Sequence, residues 1–132
     1  MIVIDASVLT AALTDDGPVG RSCRAELARD AHWAAPDHLV VEAFSAIRGL
    51  GRGAKITRQR AEAALAALSS AVVDRVDIRP LLARMWQLRP NLSGYDAAYV
   101  AVAELLACPL VTADRRFSHA PGVRCEIRVV EP

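Results

Sequence analysis

The sequence predicts an α/β fold with one central parallel sheet, and two patterns in the chain carry this prediction. Short apolar runs such as residues 1–4, rich in β-branched side chains, recur along the sequence. Such runs are typical of parallel strands that are buried on both faces. Segments with helical periodicity separate these runs. We therefore expect four to five short strands with helices on both faces of the sheet.

The first half of the chain divides into five predicted elements. In order, they are a strand over 1–4, a helix over 6–13, a helix over 19–30, a strand over 32–36 and a helix over 38–50. Asp37 is expected to cap the third helix, because its side chain can accept hydrogen bonds from free backbone N–H groups. Gly49, Gly51 and Gly53 are expected to end that helix.

The second half continues the alternation of helices and strands. Its predicted elements are a helix over 58–70, a strand over 72–78, a helix over 80–89, a helix over 95–107, and strands over 109–113 and 126–130. Thr57 is a typical cap for the first of these helices. Pro80 suits the first turn of the next helix, and residues 90–94 form a loop.

The composition limits the fold and excludes several classes of protein. The 132 residues contain no repeat or linker, so we expect a single domain over 1–132. No apolar run approaches the ~20 residues that cross a bilayer, and the opening residues lack the basic start of a signal peptide, which predicts a cytoplasmic protein. The net charge of +1 excludes binding to nucleic acid through bulk positive charge. The three cysteines lack the spacing of a zinc site or a disulfide framework.

Two aspartates follow directly after predicted strands. Asp5 comes after the first strand, and Asp114 comes after the strand over 109–113. The carboxyl ends of parallel strands line the crevice in which open α/β sheets bind their ligands. We therefore expect Asp5 and Asp114 to lie at the same edge of the sheet.

Two further acids stand at positions that have an ordinary structural explanation as well. Asp96 lies at the start of an apolar helix, where the helix dipole favours an ionised carboxylate and where capping aspartates are common. Glu42 lies on the flank of a core stripe formed by Leu39, Val40, Ala43, Ile47 and Leu50. Taken singly, such a glutamate is typical of a solvated boundary position.

Together, the four acids indicate a site for a hard divalent cation. Carboxylates that converge on one crevice repel each other, and their pKa values rise unless a cation joins them. Oxygen ligands suit Mg²⁺ or Mn²⁺, which keep several waters and accept phosphate oxygens from a substrate. Such an ion also activates water, so the chemistry that fits this pattern is phosphodiester hydrolysis.

Three stretches of the chain resemble the motifs of a known family. They are IVIDASVL at 2–9, SGYDAAYVAVA at 93–103 and PLVTADRRF at 109–117. These stretches closely resemble the motifs of VapC-type PIN-domain toxins, which are ribonucleases of bacterial toxin–antitoxin pairs. The resemblance follows the motif order across essentially the whole chain, while the segment 51–92 carries little of it.

The resemblance implies a fold, a site and partners. It implies a PIN-like domain in which Asp5, Glu42, Asp96 and Asp114 bind Mg²⁺ or Mn²⁺ and carry the catalysis. Ser7 and Thr112 would be supporting hydroxyls that orient carboxylates or water. The implied partners are an RNA substrate, a cognate VapB-type antitoxin and a second copy of the chain. The many apolar helical residues also favour a homodimer, since a domain this small cannot easily bury them alone.

Basic residues near the predicted crevice are candidates for contact with RNA. Arg115 and Arg116 follow Asp114, and Arg48 lies beyond Glu42 on the same helix. Guanidinium groups bind the phosphate backbone, but solvated surface charge explains these three positions equally well.

Three other functions share parts of this acidic pattern. A phosphotransfer receiver domain needs a lysine after a late strand, and Lys55 is the only lysine. A haloacid-dehalogenase-type phosphatase needs a second aspartate where this chain has Ser7. A PIN-fold protein that binds RNA or a partner without cutting it is the remaining alternative. Retention of all four acids favours the nuclease, and metal-dependent RNA cleavage distinguishes the two.

Overall fold

The computed structural model describes residues 1–132 and contains the expected parallel sheet. Five strands pair in the order β3-β2-β1-β4-β5, and every neighbouring pair is parallel. The strands are β1 (Ile2–Ile4), β2 (Trp33–Pro36), β3 (Asp74–Val76), β4 (Leu110–Thr112) and β5 (Ile127–Val129). The predicted α/β class and strand number are therefore confirmed.

Six α-helices connect and cover the strands. They are α1 (Ala6–Thr14), α2 (Pro18–Ala28), α3 (Leu39–Arg52), α4 (Arg58–Ser70), α5 (Leu82–Leu88) and α6 (Gly94–Leu106). A 3₁₀ turn over Arg79–Leu81 leads into α5, and a second one over Arg115–His119 follows β4. None of these helices combines the length and the apolar character that a membrane span requires.

The order of the strands determines where a ligand site can form. From β1 the chain moves outward through β2 and β3, and then crosses to β4 and β5 on the other side of β1. This reversal makes the gap between β1 and β4 a topological switch point, which is where open α/β sheets bind ligands beyond the carboxyl ends of their strands. Val3 pairs with Leu110 and Ile4 pairs with Val111, so Asp5 and Asp114 emerge at the same edge, as expected.

The core lies between the sheet and its helices. All three residues of β1 and of β4 are buried, and so is every residue of α6 from Ala97 to Ala103. Most of these α6 residues are alanine or valine, and small side chains let a helix approach a sheet closely. The contacts of α6 with β1, β2 and β4 place its first turn beside the switch point.

The region around α3 differs from the sequence prediction in three ways. Asp37 does not cap α3, which begins after His38 and has no side-chain cap at all. The helix also continues through Gly49 and Gly51 and ends only at Gly53. Each glycine inside a helix costs roughly 1 kcal/mol relative to alanine, and the packing of α3 against the rest of the fold outweighs that cost. Val40 was expected in the core, but it is 43% exposed because α3 turns only Leu39, Ala43 and Ile47 inward.

The edge strand β3 is shorter than expected, spanning Asp74–Val76 rather than 72–78. It pairs with one neighbour only, and Asp74, Arg75 and Asp77 interrupt the apolar run. By contrast, the helix over 58–70 has its predicted bounds, and the Thr57 hydroxyl accepts a hydrogen bond from the backbone N–H of Arg60 at 3.0 Å.

The start of α2 depends on Asp15 and two glycines. Oδ1 of Asp15 accepts the N–H of Gly17 at 2.7 Å, and Oδ2 accepts the N–H of Gly20 at 3.1 Å. A Cβ atom added to Gly20 would lie 1.8 Å from the backbone carbonyl oxygen of Asp15. The close approach of the α1–α2 turn to α2 therefore requires a glycine at position 20.

This packing gives a test that uses two helical glycines. Gly20→Ala is expected to lower the free energy of unfolding by about 1–3 kcal/mol, because the added methyl group overlaps backbone that cannot easily move. Gly49→Ala is the matched control: nothing lies within 4 Å of its added Cβ, so stability should rise by about 0.5–1 kcal/mol. Denaturant unfolding of both variants measures the two effects. Equal stabilities would contradict the described approach of α2 to Asp15.

Candidate active site

Asp5 is the most deeply buried acid at the switch point, with 4% of its surface exposed. It is the N-cap of α1, and its Oδ1 accepts the backbone N–H of Val8 at 3.1 Å. The Ser7 hydroxyl donates to the same oxygen at 2.7 Å, and the Thr112 hydroxyl donates to Oδ2 at 2.5 Å. Burial raises the pKa of Asp5, and these three donors oppose part of that rise.

The two hydroxyls also connect the ends of β1 and β4. Oγ of Ser7 lies 3.2 Å from Oγ1 of Thr112 and accepts the backbone N–H of Ala113 at 3.0 Å. Oγ1 of Thr112 accepts the N–H of Asp114 at 3.0 Å. The network therefore fixes the backbone after both strands, and with it the relative positions of Asp5 and Asp114.

Asp114 is paired with an arginine rather than facing open solvent. Its Oδ2 accepts Nη2 of Arg116 at 2.6 Å, and its Oδ1 accepts the backbone N–H of Arg116 at 2.9 Å. These bonds hold the pKa of Asp114 below its ordinary value. The Arg116 side chain is 84% exposed, so the guanidinium stands at the surface of the site.

Asp96 lies in the first turn of α6, where Ser93 caps the helix by accepting the N–H of Asp96 at 3.1 Å. Burial is the largest cause of its raised pKa. The negative charges of Asp114 and Glu42 raise the pKa further, while the Arg116 guanidinium lowers it. Asp96 therefore lies within electrostatic reach of two other acids of the predicted set.

Glu42 projects from the first turn of α3 toward α6. Its Oε1 accepts the hydroxyl of Tyr99 at 2.9 Å and lies 3.0 Å from Nε2 of His38, a contact that lacks hydrogen-bond geometry. Burial raises the pKa of Glu42, but the contacts with His38 and Tyr99 outweigh it, and the net pKa is lowered.

Tyr99 is a member of the site that the sequence analysis did not single out. Its ring is buried, and burial is the largest cause of a raised phenol pKa, with additions from Glu42 and Asp5. Tyr99 lies three residues after Asp96 and therefore on the same side of α6. That spacing was available in the sequence, but the apolar character of the helix as a whole gave Tyr99 no separate role.

The four predicted acids are neighbours without forming a closed cluster. The charge of Asp114 acts on both Asp5 and Asp96, and the charge of Glu42 acts on Asp96. No three Asp, Glu, His or Cys side chains lie close enough together to hold one metal ion in this conformation. Repulsion between the carboxylates and the pairing of Asp114 with Arg116 both favour such a separation.

The remaining predicted residues lie further from the acids. Arg115 forms an exposed ion pair with Glu131 at 3.3 Å. Arg48 is exposed on α3, six residues after Glu42 and so about 120° around the helix from it. Of the three candidate arginines, only Arg116 contacts the acidic site.

Comparison with known proteins extends this description. The PIN domain family matches residues 2–123. Ribonuclease VapC9 of Mycobacterium tuberculosis is 38% identical over 130 residues, which cover 98% of each protein. Ribonuclease VapC1 of the same species is 38% identical over 129 residues, covering 97% of this chain and 96% of the relative. Among solved structures, VapC20 of M. tuberculosis, a Sarcin-Ricin loop cleaving toxin, has a similar fold with a TM-score of 0.69 and 21% identity, covering 92% of this chain and 95% of the other.

The contact between Arg116 and Asp114 gives a test by titration. In Arg116→Gln the pKa of the Asp114 carboxyl should rise, because the hydrogen bonds from the Arg116 side chain are the largest cause of its depression. A depressed folded-state pKa adds stability above the ordinary pKa, and that stability is lost as pH falls through the folded-state value. Stability should consequently fall less steeply on acidification in the variant. Carboxyl-detected NMR titration measures the pKa directly.

Arg115→Gln is the matched control, since the neighbouring Arg115 pairs with Glu131 and should leave the Asp114 titration as it is. An unchanged Asp114 pKa in Arg116→Gln would show that the two side chains are not paired in solution.

Proposed function

This chain belongs to the PIN domain family and has VapC ribonucleases as full-length relatives, and on that premise we propose that it is a metal-dependent endoribonuclease. It would hydrolyse phosphodiester bonds in RNA and act in the cytoplasm as the growth-inhibiting toxin of a toxin–antitoxin pair. The metal would be Mg²⁺ or Mn²⁺, held by the carboxylates of Asp5, Glu42, Asp96 and Asp114.

The observation that carries the proposal is the distribution of charge at the switch point. Burial and neighbouring carboxylates raise the pKa values of Asp5 and Asp96. The Arg116 guanidinium offsets part of this for Asp96, but it is itself bound to Asp114. A set of oxygen donors with unbalanced negative charge fits a hard divalent cation.

Each residue has a defined part in this proposal. When bound, the cation would neutralise charge on the phosphate and activate water for attack. Asp5 is the fixed ligand, because Ser7, Thr112 and the N–H of Val8 hold both of its oxygens in place. Tyr99 holds Glu42 toward α6 through its hydroxyl. Supporting hydrogen bonds of this kind set the orientation of carboxylates at metal sites.

Arg116 links the acids to the substrate. Its exposed guanidinium can move from Asp114 to a phosphate oxygen of RNA, and the same movement frees Oδ2 of Asp114. Guanidinium groups form paired hydrogen bonds with carboxylates and with phosphates, so Arg116 can exchange the Asp114 carboxylate for an RNA phosphate. Arg116 would thus bind the RNA backbone only after releasing a carboxylate of the site.

The proposed protein partners follow from the exposed surface. A VapB-type antitoxin would inhibit by inserting an arginine or lysine side chain among the acids, since a cation from a protein can replace the charge of the metal. A second copy of the chain would cover α3, where Val41 is 66% exposed beside Val40 and Phe44. Tyr95 is exposed as well and lies against His38 at a centroid distance of 5.5 Å, which extends the apolar surface toward α6.

The catalytic proposal is tested by removing one charge at a time. Asp5→Asn and Asp96→Asn should lower the rate of RNA cleavage in Mg²⁺ or Mn²⁺ by more than about 100-fold, because metal affinity depends on each carboxylate. Without metal, Asp96→Asn should melt at the same or a higher temperature, since its charge is disfavoured in the fold. Asp114→Asn should not gain stability, because it loses its pairing with Arg116.

Asp77→Asn is the control, since this exposed acid pairs with Arg79 away from the site and should cleave RNA at the wild-type rate. A chelator should abolish cleavage in the wild type, and added Mg²⁺ or Mn²⁺ should restore it. Wild-type cleavage by Asp5→Asn would refute the proposed mechanism.

The dimer is tested by placing a charge on the apolar face of α3. Val41→Asp should convert a dimer to a monomer in sedimentation experiments, because a carboxylate buried in an apolar interface without a partner is strongly disfavoured. The exposed Ala66→Asp on α4 is the control and should leave the sedimentation coefficient as it is. A monomeric wild-type protein would refute this part of the proposal.

A further inference from the structure

A groove of about 550 Å³ begins at the acidic site and runs between α1 and α3. Ser7 and Glu42 form the end nearest the acids, and Lys55 stands among its other lining residues, on the turn after α3. From Glu42 to Leu50, the groove follows α3 for about 12 Å, given the rise of a helix per residue. A volume of this size falls within the roughly 300–1,000 Å³ of small-ligand sites.

The part of the groove next to Lys55 offers a positive charge. Lys55 is the only lysine of the chain and is exposed. The acids beside it already have partners: Asp16 pairs with Arg60 at 2.8 Å, and Asp15 accepts two backbone N–H groups at the start of α2. The Lys55 ammonium is consequently available to an anion from outside the protein.

The middle of the groove is apolar except for one hydroxyl. Ala11, Ala46 and Leu50 present small or flat apolar surfaces between the two ends. Thr10 also lines the groove, is 7% exposed, and its hydroxyl has no hydrogen-bond partner. One turn later, the Thr14 hydroxyl donates to the Thr10 carbonyl at 2.7 Å, as a buried helical threonine normally does. A buried hydroxyl without a partner is unfavourable, and a ligand with a polar edge would relieve this by forming a hydrogen bond with it.

We propose that this groove binds the nucleotide next to the bond that is cut, and that it determines which base is accepted there. The inference rests on the proposed ribonuclease function and assigns a binding subsite to it. The base would lie against Ala46 and Leu50, Thr10 would hydrogen-bond its polar edge, and Lys55 would contact a phosphate further along the strand. A ligand bound at the acids by one phosphate and at Lys55 by another has the repeating charge of RNA, which favours a nucleotide over a protein segment.

The test combines three groove variants and two substrates. Ala46→Trp fills the groove from an exposed position, Thr10→Val removes only the hydroxyl, and Lys55→Gln removes the charge. The substrates are a randomised pool of short single-stranded RNA and bis(4-nitrophenyl) phosphate, which has a scissile phosphodiester but no neighbouring nucleotide. The exposed Ala66→Trp on α4 is the control for the added indole.

For Ala46→Trp, the ratio of kcat/KM for RNA to kcat/KM for the small phosphodiester should fall at least 10-fold, mainly through a higher KM for RNA.

Thr10→Val should melt at or above the wild-type temperature, because no hydrogen bond is lost, and should change the base preferred beside the cut. Lys55→Gln should raise KM for RNA. It should also reduce the number of counterions released on RNA binding by about one, as measured from the salt dependence of binding, and Lys55→Arg should restore both values. Ala66→Trp should match the wild type in every measurement.

Binding of the RNA pool to inactive Asp5→Asn protein separates this inference from the proposed function. If groove substitutions in that background weaken RNA binding while the wild type does not cleave RNA, the groove still binds a nucleotide of RNA and only the ribonuclease proposal fails. If the groove variants cleave and bind RNA as the wild type does, the subsite is refuted. It is equally refuted if they lose only their inhibition by the cognate antitoxin, because the groove then belongs to a protein partner.

Discussion

The hydrogen bonds around the Asp5 carboxylate hold the two halves of the site together. A buried charge is costly unless donors surround it, and here the donors come from two different elements. Ser7 and Val8 belong to the first turn of α1, directly after β1, whereas Thr112 ends β4. The polar network can be satisfied only if β1 and β4 are adjacent and in the observed register, so the geometry of the site and the order of the sheet depend on each other.

The same arrangement makes the site electrostatically unfavourable on its own. Burial and neighbouring carboxylates raise the pKa values of Asp5 and Asp96, and only Arg116 offsets this charge. The apolar packing of α6 offsets this electrostatic cost. Its buried run from Ala97 to Ala103 holds the helix in place, with Asp96 in its first turn. Stability therefore comes from the apolar part of the helix, and the charged end is left free to bind a cation.

Three kinds of surface surround the acids, and each fits a different partner. The exposed arginine Arg116 faces solvent beside Asp114, which suits a phosphate. The apolar face of α3 around Val41 lies on one side, and the groove that ends near Lys55 lies between α3 and α1. Because Glu42 belongs to α3 as well, this helix borders the acidic site, the apolar face and the groove. A change in the position of α3 would therefore affect all three.

The sequence by itself determined the α/β class, the parallel strands and the neighbourhood of Asp5 and Asp114, because local periodicity and the rule on strand ends require no distant contacts. It also placed Thr57 as a cap, since capping depends on a few adjacent residues. Only the tertiary structure decided that Val40 faces outward and that Tyr99 holds Glu42. The Tyr99–Glu42 bond joins residues far apart in the chain, on two different helices. Side-chain partners of this kind depend on the packing of whole elements, which periodicity along the chain does not encode.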